Sequence, residues 1–376
     1  MNQGLKPHLL VVGSGQRVRR AALPALMARA STWHIAGIRS RKPKEIHAET
    51  AAGEPTGRAL AVEPLAALEP AHLAGLRAVY VCVSKGAVPS VLAQLAALAD
   101  ALDEAERPML FIDTPVLLFK HMGAAKHFDA FPAVHVAEDM ATLPWLDTLG
   151  YARQKLGKPR HLELDRSAFA YHGVALAKVL LGNKRVVRAR RVQRDGTAPD
   201  GGQRYERTLE FAGGQTCTVH EPRDYAVGRV RLECERGVLT LGPEPEPGTW
   251  WVGQTLDADG LCVGFTANKD GERAYANTLN EVDRELLGPL EGEGPIQSMD
   301  AMKRVGFARL LDQLHPTSPV PPAWSLHDGL DDMWIDYLLE KTGRWRATRF
   351  TSAHQPFARR SVGALMGLAS RLRTKN

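Results

Sequence analysis

His8-Leu9-Leu10-Val11-Val12-Gly13-Ser14-Gly15 places four consecutive apolar residues directly before a Gly-Ser-Gly turn. A short apolar run without polar alternation suits a strand covered on both faces, as in a parallel sheet. From Val18 to about Ala30 the apolar residues recur at helical spacing, and Ile35 to Ile38 reads as a second strand. A strand, a glycine turn, a helix and another strand form one parallel crossover unit.

Outward from this unit the alternation continues. Arg77 to Ser84 contains the continuously apolar Ala78-Val79-Tyr80-Val81-Cys82-Val83, Val88 to Leu102 repeats apolar residues at helical spacing, and Met109 to Asp113 is a further buried strand. The first 120 residues are therefore predicted to form a doubly wound parallel sheet of the Rossmann kind. After that the pattern changes. Trp145 to Leu156 and Ala168 to Leu181 read as helices, the second ended by Gly182. Strands follow at Arg204 to Phe211, Thr216 to His220, Arg229 to Cys234, Val238 to Leu241 and Trp250 to Leu256, separated by Gly-, Pro- and Asp-rich turns. Helical patterns return at Arg273 to Leu287, Met299 to Leu314 and Leu326 to Glu340. The expected second domain, residues 121–345, is α+β with a large, mainly antiparallel sheet. Residues 346–376 form a separate basic tail.

The 376 residues, 44% hydrophobic and 24% charged, suffice for two cores and rule out a disordered chain. No apolar run reaches the roughly 18 residues needed to span a bilayer. Cys82, Cys217, Cys234 and Cys262 lie far apart without C-x-x-C spacing, which reads as reduced packing residues in a cytoplasmic protein. The net charge of +6 is unevenly placed: nine Lys and Arg follow Glu340 and no acid does, which leaves −3 for the residues before them. The body thus lacks the basic footprint of a nucleic-acid binder. In the tail, Arg359 to Arg373 sets apolar residues among arginines, either as an amphipathic helix for peripheral contact with anionic lipid or a partner, or as a short solvated helix docked on its own domain. Trp250 and Trp251, adjacent on a strand, must face opposite sides. One is expected in the core and the other at a subunit interface or substrate cleft, in a homo-oligomer.

Gly13 and Gly15, between a buried strand and a helix, let the backbone approach a pyrophosphate at a helix N-terminus. The third glycine of G-x-G-x-x-G is replaced by Val18. About 25 residues further, where an NAD site usually has an acid for the ribose hydroxyl, the chain has Arg39-Ser40-Arg41-Lys42. Ser40 can donate to a 2′-phosphate and Arg41 can pair with or stack on it, so NADP (NADPH) is the expected cofactor. Gln16 and Ser84 are expected beside them. A solvated basic turn is the alternative reading of residues 39–42.

With these elements in place, the chain resembles the glucose-fructose oxidoreductase, inositol dehydrogenase and rhizopine catabolism (Gfo/Idh/MocA) family of NAD(P)-dependent oxidoreductases over nearly all of residues 8 to 340. HLLVVGSGQRVRRAALPAL resembles the family's opening. VYVCVSKGAVP lies where members have a strand followed by Thr-Pro-Asn-x-x-His, and MLFIDTPVL where they have a strand ending in Glu-Lys-Pro. YHGVALAKVLLG lies where they have G-x-H-x-x-D, and His172 and Gly182 keep the ten-residue interval. The resemblance implies an NADP-dependent oxidoreductase moving hydride to or from a small polar, sugar-like carbonyl, alcohol or imine.

Several family groups are absent. Thr114 replaces the lysine of Glu-Lys-Pro, Ala168 the Asp four residues before the motif His, and Pro89 the His after Thr-Pro-Asn, whose Pro falls on Lys85. His172 remains as the acid/base candidate, because imidazole exchanges protons with carbinol oxygen near neutrality. A buried or helix-capping histidine is its alternative reading. Lys85 follows a buried strand at the ligand-binding edge, either as a substitute cation or as a surface lysine. Tyr171 can donate through its phenol but points about 100° from His172 on a helix, which favours packing or substrate contact. Asp113, Glu138 and Asp139 either bind polar substrate groups or cap the following helices. The losses leave two rival functions, a catalytically retired nucleotide-binding accessory protein and a redox-neutral enzyme with bound nicotinamide.

Overall fold

A computed structural model describes residues 6–50, 52–197, 202–290 and 294–347. These form two compact units, residues 6–138 with 307–333, and residues 139–306 with 334–347. The basic stretch Arg359 to Arg373 lies outside the described residues.

The first unit holds a seven-stranded sheet. In chain order its strands are β1 (His8–Val12), β2 (His34–Ser40), β3 (Lys44–Glu49), β4 (Pro55–Pro64), β5 (Ala78–Val81), β6 (Met109–Asp113) and β7 (Val134–Ala137). Their spatial order is β3-β4-β2-β1-β5-β6-β7. Every neighbouring pair is parallel except β3–β4. This is the doubly wound plan, and strand order reverses between β1 and β5, where ligands bind in such sheets. The two runs expected to be buried strands are so: Leu9 to Val12 and Ala78 to Val81 are almost without exposure. Residues 16–28 after β1 are helical, with a π-turn at Val18–Ala22 leading into α1 (Leu23–Ala28). The helix α2 (Val88–Asp100) follows β5. The strands β3 and β4 were not expected. β4 is mostly exposed and carries Gly57, so its apolar pattern is weak and pairing with β3 and with the end of β2 defines it.

The second unit contains α3 (Leu146–Leu156), α4 (Ala170–Leu181) and a ten-stranded sheet. Its strands are β8 (Pro159–Asp165), β9 (Val186–Thr197), β10 (Gln203–Phe211), β11 (Thr216–Glu221), β12 (Arg229–Cys234), β13 (Gly237–Leu241), β14 (Trp250–Leu256), β15 (Cys262–Lys269), β16 (Glu272–Thr278) and β17 (Arg344–Arg346). They lie in the order β16-β15-β14-β13-β12-β8-β11-β10-β9-β17, antiparallel apart from β8–β11 and β13–β14. The period of two is plain. Leu162, Leu164, Cys217, Val219, Val230 and Leu232 are buried on one face. The other face carries paired charges such as His220–Glu163 at 3.1 Å and Arg194–Glu206 at 2.5 Å. One covered and one wet face is the usual state of an antiparallel sheet. α4 covers the apolar face, approaching β11 at Gly173, where an added Cβ would stand 3.6 Å from Val219.

The expected helix from Arg273 to Leu287 is corrected. Residues 272–278 are the edge strand β16 paired with β15, and only α5 (Glu281–Leu287) is helical. Tyr275 stacks on Tyr151 of α3 at 4.3 Å, and the Asn280 side chain accepts the Asp283 amide at 2.8 Å, an N-cap that starts the helix late. Pairing and stacking override a helix-like spacing. Two longer helices, α6 (Met299–Leu314) and α7 (Leu326–Thr342), agree with expectation, apart from α7 running two residues further. Trp250 and Trp251 are both half-buried, so neither is a core residue as expected for one of them. All four cysteines are free and buried. No helix among the described residues is long and apolar enough to cross a membrane.

On β7, burial and then the Arg77 guanidinium hold the His135 imidazole below its ordinary value of 6.5. The unfolded chain therefore takes up this proton first as pH falls. Stability is full above about pH 6.5 and declines below it. Thermal melts from pH 7.5 to 5 should show this decline, and His135→Asn should flatten it. His121 and His127, also lowered by burial, would supply the remaining slope. An unchanged slope in the variant would count against His135.

Candidate functional site

The turn after β1 has two glycines with different reasons to exist. Gly13 has φ +133°, and a Cβ there would lie 1.8 Å from the Cys82 carbonyl oxygen, so the fold itself requires glycine. Gly15 has an ordinary φ and nothing within 4 Å of its would-be Cβ. Its lack of a side chain serves open space in front of the helix. The first helical bond runs from the Arg19 amide to the Gly15 carbonyl at 3.1 Å, so the amides of residues 16–18 have no partner within the helix. That is an anion-binding arrangement, and the residues present fit a dinucleotide pyrophosphate. Val18, in the third-glycine position, is fully buried as a packing residue.

Around this turn the other expected contacts are placed as follows. The Gln16 amide oxygen accepts from Arg20 at 2.7 Å, and Arg20 also pairs with Glu49 at 3.2 Å. At the end of β2, Arg39 is buried against Glu63. Arg41 and Lys42 are exposed, and the Ser40 hydroxyl donates to the Lys42 carbonyl at 2.9 Å, closing their turn. Ser84 and Lys85 are exposed in the turn before α2, whose Ala87 amide donates to the Ser84 carbonyl at 2.8 Å. Asp113 accepts Arg17 Nε at 3.4 Å and the Cys82 thiol at 3.2 Å. Burial, and then the Asp113 charge, push that thiol far above its ordinary value, so it stays protonated and unreactive.

In the second unit, polar groups gather about the first turn of α4. Ala170, its first residue, has φ +51°, unusual for a residue with a Cβ. Its amide donates to Glu221 Oε1 at 2.9 Å. The other Glu221 oxygen accepts Arg207 Nε at 2.8 Å, and Arg207, with 3% of its side chain exposed, also donates to Asp336 at 2.5 Å and Glu340 at 2.7 Å. Burial opposes the Arg207 charge, but Glu221 and Asp336 outweigh it and hold the guanidinium above its ordinary value. Burial raises the Asp336 carboxyl in spite of Arg207. The charged network fixes where α4 begins, and so fixes His172 two residues on.

His172 is half-buried, with Phe169 and Tyr171 rings 5.6 and 4.4 Å from its own. A carboxylate oxygen of buried Asp139 lies within 4.8 Å of its ring nitrogen. Asp139 precedes α3, so a carboxylate from elsewhere in the chain stands near His172 although position 168 is alanine. Lys303 of α6 donates to the Tyr225 hydroxyl at 3.1 Å and pairs with Asp300 at 3.6 Å. Burial works against its charge, while Tyr225, Asp139 and Asp300 overcome this and keep the ammonium above its ordinary value. α6 comes this close because Gly306, one turn later, has no side chain: a Cβ there would sit 2.8 Å from the Asp139 carbonyl. The Arg223 guanidinium lies over the Phe169 ring at 4.3 Å and the Tyr225 ring at 5.3 Å. The arrangement can exchange a proton at imidazole or phenol and can hold negative charge beside two cations.

Lys303, Tyr225 and Arg223 were not singled out from the sequence. For Lys303 a signal existed, since it shares a helical face with Met299 and Leu310, both buried, where a lysine is out of place. An open cavity of about 570 Å³ borders Glu163, Asp165, Arg166, His220 and Arg223. Neither His172 nor Lys303 lines it.

The sequence matches no protein-family profile and no curated protein. Solved structures do share the fold. An aldose-aldose oxidoreductase from Caulobacter crescentus complexed with glycerol aligns at TM-score 0.59 and 12% identity, over 91% of this chain and all of that one. An oxidoreductase from Agrobacterium radiobacter in complex with NAD+, L-tartaric acid and magnesium aligns at 0.57 and 12%, over 91% and 98%. A super-repressor mutant of Gal80p from Saccharomyces cerevisiae aligns at 0.59 and 8%, over 92% and 99%. These neighbours are of the Gfo/Idh/MocA type, and at such identities the likeness establishes the fold.

If the Arg207 network fixes the start of α4, Arg207→Met should lower unfolding free energy by about 3 to 5 kcal/mol by stranding buried carboxylates. Urea denaturation measures this. A loss below about 1 kcal/mol, the range of an exposed pair, would contradict it.

Proposed function

We propose that the chain is an NADP-dependent oxidoreductase that moves hydride to or from a carbon bearing oxygen or nitrogen in a small polar substrate. The observation that carries the reading is the Asp139–His172 pair, a buried carboxylate within 4.8 Å of an imidazole at the start of α4, where the Gfo/Idh/MocA resemblance places its acid/base histidine. The neighbours named as oxidoreductases, one of them in complex with NAD+, support the same reaction class for this chain.

Gly13, Gly15 and the amides of residues 16–18 would hold the pyrophosphate, and Ser40 and Arg41 the 2′-phosphate. Gln16, Ser84 and Lys85 would line the same unit's dinucleotide site. Once bound, the nicotinamide supplies or accepts the hydride. The remaining chemistry belongs to side chains. His172 gives a proton to the substrate oxygen or nitrogen, or takes one from it, and Asp139 orients the imidazole. Lys303 stays cationic beside Tyr225 and opposes the excess negative charge of Asp139 and Asp300. Tyr171 acts as a substrate contact. Thr114 and Ala168 need no catalytic part in this scheme.

Nicotinamide fluorescence titration tests the cofactor assignment. NADPH should bind more tightly than NADH, and Arg41→Ala should weaken NADPH about tenfold, roughly 1.4 kcal/mol, with little effect on NADH. Equal failure of both nucleotides at millimolar concentration would remove the assignment. Gly15→Ala should weaken NADPH in a stably folded protein, whereas Gly13→Ala should unfold the first unit. On any substrate found in a panel of keto sugars, aldehydes and imines, His172→Ala should lower kcat by about 10² to 10⁴ at unchanged NADPH affinity. An unaltered kcat would move the acid/base role to another residue.

A further inference from the structure

We propose that Arg223 is a carboxylate-recognition residue, and hence that the substrate is a polar hydroxy or oxo acid. The inference rests on the functional reading above, since it concerns the substrate of the His172 site. Its evidence is the state of charge around that residue. The Arg223 guanidinium is held by two aromatic faces, Phe169 at 4.3 Å and Tyr225 at 5.3 Å, and makes no ion pair among the described residues. Stacking restrains the plane of the group but leaves its N–H edges for hydrogen bonding.

The neighbouring carboxylates are engaged elsewhere. Asp224 accepts the Ala226 amide at 3.2 Å. Glu221 accepts Ala170 at 2.9 Å and Arg207 at 2.8 Å. Asp139 faces His172 and Lys303, and Asp300 pairs with Lys303 at 3.6 Å. Lys303 is thus paired with acids, whereas Arg223 has no ion-pair partner among the described residues. One uncompensated planar guanidinium matches a monoanionic carboxylate through two parallel N–H···O bonds.

The position ties recognition to chemistry. Phe169 carries the guanidinium on one side, and its ring lies 5.6 Å from that of His172. A carboxylate on Arg223 would leave the rest of a short polyol chain to pass Phe169 and present a carbinol or carbonyl to the imidazole. The loop that carries Arg223 is tied down beside it, because Gln297 donates to the Tyr225 carbonyl at 3.2 Å and to the Gly228 carbonyl at 3.1 Å.

The test uses the full chain without nucleotide, with D-gluconate as probe and D-sorbitol, its neutral counterpart, as control. Calorimetric titration should show gluconate binding and at least tenfold weaker sorbitol binding. Arg223→Met should weaken gluconate by tenfold or more, and Arg223→Lys should restore only part of it. Gluconate should also shift the His172 ring resonance, assigned by its absence in His172→Ala. Binding of both polyols alike, no binding of gluconate or of related aldonates at 10 mM (on the order of 3 kcal/mol), indifference to Arg223→Met, or an Arg223-dependent site that leaves the His172 resonance in place would each overturn the proposal. NADPH titration of Arg223→Met runs in parallel. Its expected unchanged affinity keeps a failure of carboxylate recognition distinct from a failure of the cofactor assignment.

Discussion

Arg207 holds together the elements that set the geometry of the second unit. A guanidinium with so little exposure cannot stay charged alone, and it is paired with Glu221 on β11 and with Asp336 and Glu340 on α7. Because Glu221 spends its second oxygen on the Ala170 amide, the network also restrains a backbone residue at φ +51°. Without that acceptor the first amide of α4 would lose its partner at the point where the chain must enter the helix in an unfavourable conformation. The placement of His172 follows from β-sheet electrostatics as well as from the helix that carries it.

The glycine turn between β1 and its helix was legible because its determinants are local. A buried run, two glycines and a helix adjoin in sequence, and the sheet order follows from right-handed crossovers. The strand β16 was not legible, because its partner β15 and the Tyr151–Tyr275 stack are tertiary facts. The site shows the same division. His172 was singled out by the family resemblance, whereas Asp139 read as a cap or substrate contact, since nothing in sequence says that it comes within 4.8 Å of His172. Lys303 was passed over although it shares a helical face with buried Met299 and Leu310, and its proximity to Asp139 depends on Gly306 admitting the Asp139 backbone.

The departures from the family pattern therefore read differently in sequence and in space. Ala168 counted as a lost carboxylate, yet a carboxylate stands within 4.8 Å of His172. Buried charge is costly unless it is satisfied, so an Asp, a Lys and a Tyr held together there argue against a site left to drift. The fold alone does not decide this, because its neighbours include a repressor as well as oxidoreductases. The polar groups around α4 are kept near one another, which supports the proposed reading.

The two cations of that cluster differ in physical state. Lys303 is largely buried, hydrogen-bonded and surrounded by acids, so its charge acts inside the cluster and is balanced there. Arg223 is exposed, stacked on two rings and has no acid as ion-pair partner among the described residues. Exchanging them would not keep these roles, because a lysine gains less from aromatic faces and cannot offer two coplanar donors. A compact ammonium suits a fixed internal charge, and a planar guanidinium suits recognition of a planar anion. The sequence places each type where its chemistry fits.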